Sequence, residues 1–176
     1  MPTNIEIKAR VDDLQALFLR VAALADSGPT RVDQDDTFFS CPNGRLKLRV
    51  LTDGSGVLIF YRRDDALGPK PSFYVHSKTS DPDGLRAVLA TSFGEVGRVR
   101  KQRVVFHAAQ AKIHLDTVDG LGEFLELEIA VDGILTPEAA QAEAHRLLRA
   151  LGIEDNALVK GAYLDLLETE RVQRGR

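Results

Sequence analysis

Near the amino terminus, residues 3–11 alternate between apolar and polar. Ile5, Ile7 and Ala9 fall on one side, and Asn4, Glu6, Lys8 and Arg10 on the other. A period of two predicts a β-strand, whose successive side chains leave opposite faces. The period then lengthens, with Leu14, Leu17, Phe18, Val21 and Leu24 at helical spacing. Asp12 stands where an N-cap would, with Gln15 as capping-box partner, and Gly28-Pro29 predicts the end of this helix. Extended stretches follow near 31–40, 45–51, 56–63 and 72–78, separated by Pro42-Asn43-Gly44, Asp53-Gly54 and Gly68-Pro69. A second helix is predicted from Ser80 or Asp81, with Pro82 in its first turn and Leu85, Val88 and Leu89 as its apolar stripe. Residues 96–107, 110–118 and 122–132 read as strands, broken near Ala108-Ala109 and at Asp119-Gly120. Thr136-Pro137-Glu138 opens a third helix that Gly152 closes, and a short fourth runs from about Leu158 to Glu168. Arg171 to Arg176 is a basic tail with nothing to bury, expected to fray.

The pattern amounts to about eight strands joined mostly by short turns, with three or four helices between them, an α+β arrangement whose sheet is mainly antiparallel. Eight such strands can close into a β-barrel with flanking helices.

What alternates with the apolar residues changes the picture. Arg45, Lys47 and Arg49 share one strand face, as do Lys101 and Arg103, His114 and Asp116, Glu126 and Glu128, and Glu6 and Lys8. Strand by strand, this is how a half-buried strand shows its charges to water. As a set it differs, because cations gather on some strands and carboxylates on others. Like charges two apart on one face repel, so a plain solvated face would interleave signs. Sorted charge suits a polyanion accompanied by metal ions: Arg and Lys neutralise phosphate oxygens, and carboxylates hold Mg²⁺ or Mn²⁺. With this face turned inward, a closed sheet would enclose a polar tunnel.

Composition narrows the class. The 176 residues fit one ordinary domain. The expected boundaries are 1–170 for that domain and 171–176 for the tail. Cys41 is the sole cysteine, which excludes an intramolecular disulfide and a multi-cysteine zinc site. No apolar run spans a membrane and no signal peptide is visible, so a cytoplasmic protein is expected. A net charge of −3 argues against a nucleic-acid coat.

Asn4-Ile5-Glu6-Ile7-Lys8 resembles the ExExK strand of the CYTH superfamily, the triphosphate tunnel metalloenzymes. Asp35-Asp36-Thr37-Phe38-Phe39 followed by Gly44-Arg45-Leu46-Lys47-Leu48-Arg49 resembles that family's second and third strands. Ile113 to Asp116 and Gly120 to Glu128 are similar to its metal-binding strands, and Gly161 to Leu167 to its C-terminal segment. Within the superfamily the class IV adenylyl cyclase-like branch is the nearest in appearance. The resemblance implies an eight-stranded antiparallel barrel, a triphosphate tunnel. In it Glu6, Asp116, Glu126 and Glu128 hold Mg²⁺ or Mn²⁺, and Lys8, Arg45, Lys47, Arg49, Arg63, Lys101 and Arg103 grip the phosphate chain. Glu6, Lys8, Asp116, Glu126 and Glu128 would form the catalytic set. Arg62 rivals Arg63, since a one-residue register change exchanges them. The family's first glutamate is here Asn4, which removes a charge from the metal site.

Three activities share this constellation. One is metal-dependent hydrolysis of a triphosphate such as tripolyphosphate, ATP or thiamine triphosphate. The second is class IV cyclisation of ATP to cyclic AMP and pyrophosphate. The third, to which Asn4 points, is binding without turnover. The resemblance also makes a homodimer reasonable. His114 is expected to be a hydrogen-bonded structural residue, Tyr163 a packing residue and Lys160 a surface helix lysine.

Overall fold

The computed structural model describes residues 3–131 and 135–175. Eight strands follow the expected order: β1 (Thr3–Arg10), β2 (Ser27–Phe39), β3 (Arg45–Leu51), β4 (Gly56–Arg63), β5 (Lys70–Thr79), β6 (Glu95–Ala108), β7 (Ala111–Val118) and β8 (Gly122–Val131). Four helices accompany them: α1 (Leu14–Leu24), α2 (Pro82–Phe93), α3 (Pro137–Ala150) and α4 (Tyr163–Arg174). The strands form a closed antiparallel barrel in the order β1-β5-β4-β3-β2-β6-β7-β8. This is the α+β barrel expected from the sequence. No helix among the described residues is long and apolar enough to cross a membrane.

The helices decide which face of the sheet points inward. Ile5 and Ile7 of β1, Ile113 and Leu115 of β7, and Leu125 and Leu127 of β8 pack outward against Leu17 and Val21 of α1 and Ala144 and Leu147 of α3. Leu48 of β3 and Phe39 of β2 pack outward against Leu89 of α2. Each fully buried aliphatic side chain contributes roughly 1.5–3 kcal/mol. With period two fixed, the polar partners of these residues must face the lumen. A third cluster lies within the barrel, where Phe38, Ile59, Val99 and Phe124 meet Tyr163 at the start of α4.

Several boundaries differ from expectation. Asp13, not Asp12, caps α1; its carboxylate accepts from Ala16 N at 2.9 Å, and Gln15 takes no part. Helix α1 ends at Leu24, and Gly28-Pro29 lies inside β2, where register shifts against β6 between Ser27 and Thr30. Only glycine fits at position 28, since its φ is +111° and a Cβ would lie 2.8 Å from the Val105 carbonyl. Val88 is 60% exposed, so α2 docks through Leu85, Leu89 and Ala90 instead. Residues 158–162 are not helical: Leu158 bridges Ala9, and Val159 N donates to Lys8 O at 3.0 Å. Lys160 is exposed, as expected, but lies in this extended stretch. Helix α4 starts at Tyr163, with the Asp165 carboxylate accepting from Ala162 N, and continues to Arg174. The tail residues Arg171 to Arg174 are therefore helical, and Glu170 on this helix pairs with both Arg10 and Arg174. The expected strand end at Asp132 and the tail residue Arg176 lie outside the described residues.

Replacing the N-cap tests the corrected start of α1. Asp13→Ala should cost about 1 kcal/mol in urea unfolding, the usual value of a lost side-chain cap. Asp12→Ala should stay within about 0.5 kcal/mol of wild type. Equal losses would mean that the cap does not distinguish the two aspartates.

Candidate functional site

The barrel encloses a cavity of about 310 Å³. Glu6 and Lys8 reach it from β1, Lys47 and Arg49 from β3, Arg63 from β4, Lys101 and Arg103 from β6, and Glu126 and Glu128 from β8. Register resolves the choice on β4: Arg63 points inward, whereas Arg62 lies outside over the Phe73 ring at 5.3 Å. Arg45 departs from expectation and does not line this cavity. It is held by Asp65 at 3.2 Å and by Asp165 of α4 at 2.7 Å, which spends its guanidinium on tying β3 to α4.

Every inward charge of the set has an opposite partner. Asp116 is completely buried; its two oxygens accept from Nε and Nη2 of Arg103 at 2.7 and 2.6 Å, and one also accepts from the Tyr163 hydroxyl at 2.7 Å. The same Arg103 reaches Glu126 at 3.0 Å. Lys8 lies 3.6 Å from Glu126 and 3.9 Å from the centre of the Tyr163 ring. Glu6 is bound by Arg63, whose other terminal nitrogen donates to the Gly161 carbonyl at 3.1 Å. The buried Arg63 Nε has no partner among the described residues. Glu128 meets Lys112 at 3.1 Å. Buried His114 sits 3.4 Å from Glu126.

Burial and pairing set the charge states. Desolvation lowers Lys8 and Lys47 to about 7 and Lys101 to about 8. Burial works to raise the Asp116 and Glu126 carboxyls, but Arg103 and Lys101 together, joined at Glu126 by Lys8 and the His114 hydrogen bond, hold both well below the usual carboxylate range. Burial, then Arg103, lowers His114, which keeps its imidazole neutral. Burial raises the Tyr163 phenol, and the Asp116 charge reinforces it. The arginines stay charged throughout, so the cavity combines permanent cations with lysines that titrate near neutrality.

The carboxylates have donor chemistry suited to a hard divalent ion. Glu6 lies directly opposite Glu128 in the β1–β8 pair, with Glu126 one inward position further along. Like charges placed opposite each other repel, and a cation between them relieves the repulsion. Here Arg63 pairs with Glu6 and Lys112 with Glu128. Among the described residues, no three His, Cys, Asp or Glu already surround a metal-sized point. Asp116 sits behind Arg103 and does not line the cavity.

Sequence reading missed several lining residues. Asp36 lies under Lys47 and Arg49, and Tyr163 bonds Asp116 while its ring lies beneath Lys8 and Lys101. Tyr74 and His76 of β5 also line the cavity, their rings 4.8 Å apart. The pairing of Asp36 and the plugging position of Tyr163 depend on register and on chain ends meeting, neither of which leaves a local pattern.

The chain matches the CYTH domain over residues 2–163. It belongs to the CYTH domain family. The resemblance carried by Glu6, Lys8 and the Glu126/Glu128 strand is thereby borne out. MJ0240 of Methanocaldococcus jannaschii, a candidate adenylate cyclase, is 25% identical over 171 residues, covering 93% of this chain and 97% of that protein. Among solved structures, the PH1012 protein of Pyrococcus horikoshii superposes with a TM-score of 0.83 at 21% identity, covering 93% of this chain and 99% of that one. HpAC1 from Hippeastrum, a candidate adenylyl cyclase described as having a dominant triphosphatase activity, superposes with a TM-score of 0.69 at 17% identity, covering 97% and 96%. The barrel of this CYTH protein is thus the triphosphate tunnel fold.

The lysines make stability depend on pH in a definite direction. A lysine whose folded pKa lies below its unfolded value leaves the folded state with fewer protons between the two, so stability rises with pH there. For Lys8 and Lys47 that window runs from about 7 to 10.5. Urea unfolding of the ligand-free protein should show stability increasing across it, on the order of 1 kcal/mol per pH unit for each of the two lysines. Lys47→Met should reduce the slope. A flat profile would mean that the lysines remain protonated in the fold.

Proposed function

We propose that this CYTH protein is a divalent-metal-dependent phosphohydrolase that binds the phosphate chain of an inorganic or organic triphosphate inside its barrel. The observation that carries this reading is the convergence of Lys8, Lys47, Arg49, Arg63, Lys101 and Arg103, from four strands, on one cavity that also holds Glu6, Glu126 and Glu128. An extended polyanion can touch cations from several strands at once, whereas a monophosphate reaches few of them. HpAC1, with its triphosphatase activity, supports the same reading.

In this reading Arg49, Arg103 and Arg63 neutralise and orient the phosphate oxygens, and the lysines add charge that strengthens when phosphate approaches. The carboxylates of Glu6, Glu126 and Glu128, which pair with Arg63, Arg103 and Lys112 in this structure, would hold Mg²⁺ or Mn²⁺. When bound, the metal supplies Lewis acidity toward phosphoryl oxygens and a more acidic water. Asp116, with Tyr163, fixes the Arg103 fork rather than ligating the ion. Asn4 lines the cavity two residues before Glu6 and offers a neutral amide. A homodimer belongs to this reading through the family resemblance, and cytoplasmic residence through the sequence pattern.

Cyclisation of ATP is the second reading. Tyr74 and His76, whose rings are tilted 34° to each other, line the cavity and present a surface on which a nucleobase could lie, and MJ0240 is a candidate adenylate cyclase. One panel separates the activities: tripolyphosphate, ATP and thiamine triphosphate, each with Mg²⁺ or Mn²⁺. Orthophosphate release supports hydrolysis, and cyclic AMP with pyrophosphate supports cyclisation. Binding with no product under either metal would replace both with the non-catalytic reading.

The carboxylates have their own test. Glu126→Gln or Glu128→Gln should weaken Mn²⁺ binding about tenfold or more, because hard ions favour anionic oxygen ligands. Calorimetric titration with unchanged affinity in both variants would remove them from a metal site.

A further inference from the structure

The cations that face the cavity from β3 rest on a buried anion. Asp36 of β2 is 2% exposed. One carboxylate oxygen accepts from Arg49 Nε at 2.7 Å; the other accepts from Arg49 Nη2 at 2.7 Å and Lys47 Nζ at 2.8 Å. The β2–β3 register places Asp36 directly opposite Arg49 and Phe38 opposite Lys47. The Lys47 ammonium also lies 5.5 and 5.4 Å from the ring centres of Phe38 and Tyr61. No carboxylate of the Glu6, Glu126 and Glu128 group is among these partners.

A negative charge behind a phosphate site would by itself repel the ligand. We propose that Asp36 is a positioning residue of the polyanion site: its buried carboxylate locks the Arg49 fork and holds the Lys47 amine in its place on the cavity wall. The role rests on the reading of the cavity as a phosphate-chain site. The groups facing Lys47 are Asp36 from β2, Arg49 from its own strand, Tyr61 from β4, His76 from β5 and Lys101 from β6. Burial, Arg49 and Lys101 all push the Lys47 proton off, and Asp36 is the carboxylate that holds it, leaving Lys47 at about 7. Without Asp36, Lys47 becomes neutral in the neutral pH range and Arg49 loses the fork that fixes its plane. Phosphate then meets one cation fewer and another without orientation.

The sign of one substitution decides between repulsion and positioning. Metal-free tripolyphosphate binding is measured by calorimetry for wild type, Asp36→Asn and Asp36→Glu at pH 6 and pH 8. Positioning predicts that Asp36→Asn binds about tenfold more weakly at pH 8, with a smaller gap at pH 6, where Lys47 recovers its proton. Simple repulsion predicts tighter binding at both. A second readout follows Lys47 by ¹³C-lysine NMR, with its resonance assigned from Lys47→Arg. Its titration midpoint should fall by about one pH unit or more in Asp36→Asn, which a merely structural loss would not produce. Asp36→Glu keeps the charge on a longer arm and displaces the fork. It should bind about tenfold more weakly at both pH values, and it is the deciding variant if Asp36→Asn does not fold. Asp36→Asn binding as tightly as wild type at pH 8, an unmoved Lys47 midpoint, or Asp36→Glu at wild-type affinity overturns the role of Asp36 alone. Wild type that binds no tripolyphosphate at either pH overturns the phosphate-chain reading and this role with it.

Discussion

The bidentate contact between Arg103 and Asp116, with the Tyr163 hydroxyl on the same carboxylate, is the interaction on which the interior depends. Removing a carboxylate from water costs several kcal/mol unless partners recover it, and Asp116 is completely buried. Arg103 satisfies Asp116 and extends to Glu126, which in turn draws in Lys8 and His114. Breaking one partner would leave an uncompensated charge in a poorly hydrated lumen, typically 3–5 kcal/mol in cost, so roughly a third or more of a marginal fold's stability. A barrel filled with ions is therefore not a stability device. Apolar residues would fill the same space as well, which agrees with the proposed reading that the ionic interior serves binding.

That constraint explains how arginine and lysine divide the cavity. Arg49, Arg63 and Arg103 each engage a carboxylate and hold a planar fork that stays charged at any working pH. Lys8, Lys47 and Lys101 carry point charges that burial brings toward neutrality. In the proposed reading, an anion entering the cavity would restore their protons, which links phosphate binding to proton uptake near pH 7. The fixed arginines give the site geometry, while the lysines adjust its charge to the ligand.

The C-terminal segment completes the site from outside the sheet. Its Gly161 carbonyl accepts from Lys8 and Arg63, two strands apart, and Tyr163 lies under Lys8 and Lys101. Gly161 adopts a φ of +85°, a conformation that favours glycine, as the chain turns into α4. Chain ends more than a hundred and fifty residues apart thus meet at the same lysine. This explains why Tyr163 reads as a packing residue from sequence and yet orients the charged floor of the cavity.

Much was legible in the sequence because period two is a local property. The alternation of Ile5, Ile7 and Ala9 with Glu6 and Lys8 fixed which residues share a face, as did the alternation in β3, β6 and β8. The sorting of cations from carboxylates was visible there too, and it identified the charged set before the sheet was known to close. What the sequence could not determine was which way that face points. The outward packing of α1, α2 and α3 turned it inward, by requiring the apolar faces of β1, β3, β7 and β8. Register then decided the remainder: Arg63 over Arg62, Asp36 beneath Arg49, and Glu6 opposite Glu128. Arg45 shares its strand face with Lys47 and Arg49, yet Asp65 and Asp165 claim it, because carboxylates distant in sequence arrive at the start of β3. Alternation along a strand is set by backbone geometry, whereas the partner across a strand is set by the whole fold.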